Sequence, residues 1–256
     1  MNKKNKKWFI LSLILIGLFL SFIKVSASST ISLDFDNTGN ASLDSLDIVF
    51  LLLFLSIIPS LLLMMTSFTR IIIVFSFLRN ALGLQQSPPN QILVGLSLFL
   101  SLFIMGPVLN DINENAYIPY KEQAITQEVA LDRAQVPIKE FMLKQVDNES
   151  LDLFISISRQ DVKIDQNQDV NEQMKNIDLS ILVPAFVTSE LKRAFLIGFL
   201  IYIPFLAIDL IVASTLMSMG MVMLPPGMIS LPFKIMIFIL ADGWGLLMSS
   251  LVQGFH

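Results

Sequence analysis

Two charged residues, Asp209 and Lys234, each interrupt a long apolar run, and their spacing allows them to meet. The runs flank a short loop of methionine, glycine and proline, and the midpoint between the charges falls between Met221 and Val222. If the chain folds back there as a helical hairpin, a carboxylate and an ammonium group reach the same level on facing helices. An unpaired charge in an apolar layer costs about 2.5–3.5 kcal/mol. The pair is either a proton or ion relay or a structural pair that fixes the hairpin register, and we favour the structural pair.

Four methionines, Met217, Met219, Met221 and Met223, alternate with other residues just before a proline pair. A spacing of two does not place side chains on one face of an α-helix, where same-face residues recur at three or four. We therefore expect an irregular loop over residues 217–226. Methionine side chains are flexible, apolar and polarisable, so they fit irregular gaps. The loop either packs against lipid or a neighbouring chain, or joins copies from several subunits in a ring that closes a pore.

Few other residues have the chemistry for catalysis or metal binding. The chain has no cysteine, which excludes disulfides, thiolate metal sites and cysteine nucleophiles, and its single histidine is His256. A zinc site or a histidine-based triad therefore has almost no residues to form it. We accordingly expect no enzymatic activity and no cofactor. The net charge of −4 argues against a nucleic-acid partner, which requires a basic surface.

The composition indicates a membrane or membrane-associated protein. Hydrophobic residues make up 54% of the 256 residues, and charged residues only 15%. The mean hydropathy of +0.70 is too high for an ordinary soluble domain. We therefore expect contact with membrane lipid and helices as the main secondary structure.

The first 27 residues have the pattern of a cleavable secretory signal peptide. Four lysines precede an apolar run at residues 8–23, and a Val-Ser-Ala sequence at 25–27 suits a signal peptidase. The alternative is an uncleaved first membrane helix. Residues 28–47 are polar and predict an exposed segment that leads into a helix starting near Asp44 or Asp47.

Residues 48–109 predict a first apolar helical hairpin. Two 18-residue apolar runs, 48–65 and 92–109, are each long enough to cross a bilayer core, and a turn lies at 83–90. Pro59 is expected to kink or break the first helix. Arg70 and Arg79 mark the turn of this hairpin as cytoplasmic.

Residues 110–190 differ in kind and predict a small, mostly helical insert. They contain 15 acidic residues against seven lysines and arginines, a net charge of −8. With no positive excess, the insert is expected on the extracytoplasmic side. The Thr-Ser-Glu sequence at 188–190 predicts a helix cap before Leu191.

Residues 191–245 predict a second apolar helical hairpin, and residues 246–256 a short amphipathic tail. Prolines recur inside the apolar runs of both hairpins, and broken helices are tolerated at membrane depth when other protein surrounds them. The fold class is therefore all-α, with two kinked apolar hairpins and a helical insert in a multi-subunit assembly. The prolines are Pro59, Pro107, Pro204 and Pro232.

Two long strings are similar to a known family. The string RIIIVFSFLRNALGLQQSPPNQILVGLSLFLSLFIMGPV occupies residues 70–108, and SELKRAFLIGFLIYIPFLAIDLIVASTLMSMGMVMLPPGMISLPFKIMIFILADGW occupies residues 189–244. Both resemble the FliP family of flagellar export-gate proteins, to which the injectisome subunit SctR is homologous. Together the strings cover both predicted hairpins.

The resemblance implies a helical, cone-like assembly in the flagellar basal body of the bacterial cytoplasmic membrane. Several copies, about five, join FliQ-like and FliR-like subunits, with an FlhB-like subunit and the basal-body ring as further partners. The gate opens for unfolded flagellar subunits, and an ATPase and the proton motive force supply the energy elsewhere. The assembly is largely lifted out of the bilayer plane, so apolar runs need not be membrane spans.

The resemblance also implies roles for particular residues. In the family a methionine-rich loop closes the pore, and its run of consecutive methionines before the proline pair matches Met221 and Met223. We expect the seal to comprise Met217, Met219, Met221, Val222 and Met223. Val222 departs from the family's run of consecutive methionines but keeps the apolar character of the loop. Asp209 and Lys234 fall where the family also has charges, consistent with a structural or assembly role.

We therefore interpret the chain as a subunit of a flagellar type III export channel. The signal peptide and the close match of both strings favour the flagellar member over the equivalent subunit of a virulence-type injectisome. A stand-alone membrane transporter or channel would need several polar groups at mid-membrane, and only one facing pair is visible. A membrane scaffold without a pore is a further alternative. Phe195, Phe199 and Phe205 are candidates for apolar packing between subunits.

Overall fold

A computed structural model describes residues 41–84, 86–158, 177–221 and 223–255. All regular secondary structure within these ranges is helical, which confirms the predicted all-α class. The chain divides into two compact units, Met1–Leu53 and Phe54–His256. Of the first unit only residues 41–53 are described, so the predicted signal peptide lies outside the described residues. Residues 41–47 are already helical, although the sequence places them in the exposed segment before the helix.

The helices follow one another with short connections. In chain order they are α1 Ala41–Met64, α2 Phe68–Ala81, α3 Asn90–Ile104, α4 Gly106–Ile112, the π-helix π1 Asn113–Tyr117, α5 Ile118–Lys121, α6 Gln127–Gln145, α7 Asn148–Ser158, α8 Leu179–Ser218, α9 Pro226–Leu240 and α10 Gly243–Gln253. The two predicted hairpins correspond to α2–α3 and α8–α9. The helices described in the acidic insert include α6 and α7.

Three sharp bends divide the apolar helices, and the first does not lie at the proline expected to cause it. The axes of residues 55–64 and α2 differ by 73°, but α1 continues through Pro59 and ends at Met64. At the bend, the Thr66 hydroxyl donates to Leu63 O at 2.8 Å and accepts from Phe68 N at 3.2 Å. A hydroxyl that binds nearby backbone groups competes with helical hydrogen bonds, which accounts for the break.

The other two bends follow α3 and α9. The axis changes by 57° between α3 and residues 106–121, and by 62° between α9 and α10. At the second of these, Asp242 has a left-handed backbone with φ of 48°. Within the described residues, α8 alone is long and apolar enough to cross a membrane unaided. The number rises to at most four if each bent pair counts as one span.

Helix α8 runs without interruption from the insert into the second hairpin. The helix cap predicted at residues 188–190 is therefore wrong, because α8 begins at Leu179. The hydroxyls of Thr188 and Ser189 donate to Pro184 O and Ala185 O, four residues earlier. A hydroxyl engaged within the helix in this way is not available to cap a helix start.

Two apolar cores lie along α8. The bundle core is formed by α2, α3, α10 and the later half of α8, and α2 contributes buried residues at helical spacing, including Ile71, Val74 and Leu78. The insert core is formed by α6, α7 and the first turns of α8, with Met142 and Phe186 fully buried. Each core covers one stretch of the same long helix, so α8 joins the insert to the hairpins.

Candidate functional site

Asp209 and Lys234 form an ion pair between α8 and α9. Lys234 Nζ lies 2.6 Å from Asp209 Oδ2, and the lysine side chain is buried. The Ser230 hydroxyl donates to Asp209 Oδ1 at 2.5 Å, so both carboxylate oxygens accept a hydrogen bond. A buried ammonium group needs a charged partner and further acceptors to offset the loss of water. The pair supplies these, and its structural role remains our prediction.

The site also includes a third helix that the sequence did not indicate. Lys234 Nζ donates to Ala81 O at 3.1 Å, and Ala81 is the last residue of α2. The last carbonyl groups of a helix have no partner within the helix and attract cations. Lys234 therefore links the end of the first hairpin's leading helix to both helices of the second hairpin.

The methionine-rich loop begins with a regular helix ending. Met217 lies in the last turn of α8, which ends at Ser218, and α9 begins at Pro226, so the irregular segment is shorter than the predicted residues 217–226. Gly220 has φ of 76°, a left-handed conformation that suits glycine. Met221 N donates to Leu216 O at 2.9 Å, and Gly220 N donates to Met217 O at 3.0 Å. This pair of bonds is a Schellman motif, which ends α8 and directs the chain into the loop.

The described methionines of this loop are exposed on the isolated chain. The exposed fraction is 96% for Met223, 63% for Met217, 62% for Met219 and 43% for Met221. Val222 lies outside the described residues. Within its own chain the loop therefore does not pack its methionines into a core, which leaves lipid or other subunits to cover them.

The tips of the two hairpins face a common cleft. One wall includes Gln86 and Ser87 from the turn of the first hairpin, and the other includes Pro225 and Met228 at the tip of the second. The ion-paired carboxylate Asp209 also lines the cleft. The charge pair, the first turn and the beginning of α9 thus lie at the same end of the molecule.

The two arginines assigned to the first turn have different environments. Arg79 is near the turn: its Nη1 donates to Asn90 Oδ1 at 2.5 Å and to Pro88 O at 3.4 Å. Arg70 is in the first turn of α2, at the opposite end of the helix, and only 2% of it is exposed. The placement of Arg70 at the turn is therefore wrong, because a buried carboxylate binds it far from that turn.

Arg70 forms a buried ion pair that sequence reasoning missed. Its Nε and Nη2 donate to the two carboxylate oxygens of Glu190 at 2.8 and 2.5 Å, a two-point contact between α2 and α8. Glu190 is fully buried. The sequence contained only a weak signal for this pair, since Arg70 lies beside an apolar run but Glu190 is followed by Lys192 and Arg193. The two residues are 120 positions apart, so no local pattern connects them.

The family comparison bears directly on these two hairpins. A model described as the FliP family matches residues 51–251, which include α2, α3, α8, α9 and most of α10. The chain belongs to the FliP family. The resemblance seen in the two sequence strings is thereby confirmed.

Members of the FliP family from several bacteria resemble this chain over most of its length. Flagellar biosynthetic protein FliP from Pectobacterium carotovorum is 51% identical over 86% of this chain and 82% of its own. The protein of the same name from Bacillus subtilis is 47% identical over 91% of this chain and 99% of its own. The Aquifex aeolicus protein is 48% identical over 83% and 87%.

The three phenylalanines proposed for packing between FliP subunits differ in accessibility. Phe199 and Phe195 are 63% and 57% exposed, although Phe195 also contacts Phe77 edge-to-face. Phe205 is buried and its ring packs against Phe238, with centroids 6.4 Å apart. Phe205 is therefore part of the bundle core and is not available to another subunit.

The described residues contain no group of three or more histidine, cysteine, aspartate and glutamate side chains that would hold a metal ion. Two charge pairs instead join helices, Asp209–Lys234 and Arg70–Glu190. We predict that these pairs set the relative positions of the helices they join. The site is thus an exposed apolar loop supported by a rigid helical frame.

Proposed function

We propose that this chain forms part of the channel through which unfolded flagellar subunits cross the cytoplasmic membrane. Membership of the FliP family makes it a subunit of the flagellar export apparatus. The relatives named above are all flagellar biosynthetic proteins, which favours the flagellar role over that of an injectisome subunit. In this proposal the methionine-rich loop, residues 217–226, is the seal of the closed channel.

One observation supports the seal above all others: the loop is apolar and exposed, while the helices that present it are fixed. Burial of an apolar side chain of this size contributes about 1.5–3 kcal/mol, so exposed methionines favour association. If several copies meet at a common axis, their loops bury one another and exclude water. Methionine adapts its shape, so such a ring can part around a passing chain and close again.

We further propose that several copies, about five, assemble with FliQ-like, FliR-like and FlhB-like subunits. The exposed apolar residues of α8 and α9, among them Phe199 and Leu240, support this, because a surface of this kind is typical of an interface or a lipid contact. Lipid at the cytoplasmic membrane covers the remainder. The acidic insert is placed on the extracytoplasmic side because it lacks the positive excess of cytoplasmic loops.

Replacing Met221 and Met223 together by alanine tests the seal. Truncation removes most of each side chain from the proposed ring but leaves the helices unchanged. We expect the complex to assemble in normal amounts and the membrane to become severalfold more permeable to small ions. Ion flux in cells or in vesicles containing the purified complex measures the change.

Met236→Ala is the matched control. This methionine is 50% exposed, close to the 43% of Met221, but it lies within α9 and not in the loop. We expect its variant to leave ion permeability unchanged. Normal permeability in an assembled Met221→Ala/Met223→Ala complex would refute the seal proposal. A monomer without partners after mild detergent extraction would refute the channel proposal itself.

A further inference from the structure

Gly254 and Phe255, which follow α10, are bound by residues from distant parts of the chain. Arg70 Nη1 donates to Gly254 O at 2.9 Å, and its guanidinium lies 3.6 Å from the centre of the Phe255 ring. Gln145 Nε2 donates to Phe255 O at 3.1 Å. Both carbonyl oxygens of the segment therefore accept a hydrogen bond from a side chain of another helix.

Gln145 connects this segment to the buried ion pair. Its Oε1 accepts hydrogen bonds from Arg70 Nη2 at 3.1 Å and from Arg193 Nη1 at 2.8 Å. The amide thus uses its oxygen on two arginines and its nitrogen on Phe255, and its residue is buried. Because the partners of Arg70 lie on α8, on α6 and after α10, one guanidinium joins three separate parts of the chain.

The Phe255 ring makes the apolar half of the contact. It stacks on Phe141 of α6 with centroids 6.1 Å apart and planes inclined by 17°. Phe255 belongs to the bundle core, whereas Phe141 packs against both the bundle core and the insert core. The ring therefore lies where the two cores meet.

We propose that Gly254–Phe255 is a latch that fixes helix α6 of the insert to the apolar helix bundle. Its receptor is formed by Arg70 and Gln145, which bind the two carbonyl oxygens, and by Phe141, which stacks on the ring. The receptor reads the backbone of the segment, since Arg70 and Gln145 bind carbonyl oxygens and only the ring contact depends on a side chain. At Gly254 an added Cβ would lie 3.3 Å from Ser250 O, which is a tight contact, and 3.5 Å from Arg70 Nη1, which is an ordinary one.

The latch also defines a route between two ends of the molecule. Helix α9 begins at the methionine-rich loop, α10 follows it after the bend at Asp242, and the latch follows α10. A displacement of the α9–α10 pair would therefore move the segment that holds α6. This makes Arg70 and Gln145 positioning residues for the insert, independently of what the loop seals.

Hydrogen exchange on the full-length protein tests the latch, with Phe255→Ala as the principal variant. Loss of the ring removes the stacking on Phe141 and Arg70 and loosens the segment. We expect amide exchange in α6 to accelerate at least tenfold, while exchange in α3 and the middle of α8 stays unchanged. Phe103→Ala is the matched control, because Phe103 is 69% exposed and its variant should leave α6 unaffected.

Two substitutions test the receptor from the opposite side. Arg70→Lys keeps a cation for Glu190 but cannot bind Glu190, Gln145 and Gly254 at once. Gln145→Met keeps the length of the side chain but neither its donor nor its acceptor, and it replaces Phe255→Ala if that variant does not accumulate. We expect both to accelerate exchange in α6, and Gln145→Met combined with Phe255→Ala to have less than the summed effect.

Three results would contradict the latch proposal. Unchanged exchange in α6 for Phe255→Ala and Gln145→Met would show that the segment does not hold the insert. Equal acceleration in every helix would show a general loss of stability, and would equally overturn the latch. Additive effects in the double variant would mean that the amide and the ring do not act as one device.

Discussion

At the scale of residues, Lys234 is the most constrained charge in the second hairpin. It is 5% exposed and binds both Asp209 and the terminal carbonyl of α2. Removing the carboxylate leaves a buried ammonium group with one neutral acceptor. Leaving such a group unsatisfied costs about 1–3 kcal/mol of folding stability. The loss stays below the upper end of this range because Asp209 is partly exposed to water.

Asp209→Ala is therefore expected to lower the stability of the protein by roughly 1–2 kcal/mol. Thermal or denaturant unfolding in detergent measures the loss, and Asp209→Asn is the control because it retains an oxygen for Lys234 or Ser230. Exchanging the two residues should restore only part of the stability, since aspartate at 234 cannot donate to Ala81 O. Strictly additive effects of Asp209→Ala and Lys234→Ala would argue against the pair.

At the scale of elements, the contact between α2 and α8 depends on a glycine. A Cβ at Gly198 would lie 2.5 Å from Phe77 Cγ and 2.9 Å from its Cβ. These atoms are near the backbone of α2, so a rotation of the ring does not relieve the overlap. The close approach of the two helices therefore requires glycine at this position.

Gly198→Ala should destabilise the protein by about 1–3 kcal/mol through overpacking. Gly95→Ala is the matched control: Gly95 is also within an apolar helix, but its added Cβ would meet no atom within 4 Å. That control should be neutral or stabilising by up to about 1 kcal/mol, because alanine is the better helix former. If the two variants unfold alike, the packing of α2 on α8 is looser than this contact indicates.

The start of α7 is capped by a titratable side chain. Asp147 Oδ1 accepts from Ser150 N at 2.7 Å, and its Oδ2 accepts from the Ser150 hydroxyl at 3.0 Å. Partial burial raises the pKa of Asp147, but these hydrogen bonds and nearby Lys192 outweigh it and hold the pKa below its ordinary 3.8. A lowered pKa means that the ionised cap stabilises the folded state above that ordinary value.

We therefore expect the stability advantage of the wild type over Asp147→Asn to be constant near neutral pH. This advantage should shrink as the pH falls below about 4 and passes through the lowered pKa of Asp147, because the aspartate then becomes protonated. Asparagine caps a helix without titrating, so the variant does not change over this range. Unfolding curves between pH 6 and pH 3 measure the difference. Asp152→Asn, an exposed change in the same helix, is the control. A constant difference at all pH values would contradict the charged cap.

At the scale of the whole molecule, charges join elements that are far apart in the chain. Arg70–Glu190 binds the start of α2 to α8, and Asp209–Lys234 binds the end of α2 to α8 and α9. Helix α2 is thus fixed at both ends, with the bundle core between them. The described methionines of the loop between α8 and α9 remain exposed beside this frame.

Some features of the fold follow from the sequence and others do not, and the difference has a physical reason. The apolar runs predict the helices and the two hairpins, because hydropathy and turn residues are local properties. The Asp209–Lys234 contact could be predicted from the sequence, because the two residues are about equally far from the same loop. The helix break predicted at Pro59 and the helix cap predicted at residues 188–190 are both wrong. A local breaker or capping sequence does not end or start a helix when the surrounding helix satisfies its hydrogen-bonding groups.

The sequence by itself determined the family, the all-α class and the place of the methionine-rich turn, whereas the exposure of its methionines is known only from the structure. Tertiary structure alone decided that Arg70 is buried against Glu190, and that Phe205 faces the bundle core. It also joined Gly254 and Phe255 to α6. The Arg70–Glu190, Arg70–Gly254 and Gln145–Phe255 contacts link residues separated by 110 to 184 positions, where no local pattern specifies the partner. Packing around α8 brings them together, and the cost of burying a charge then selects the partner.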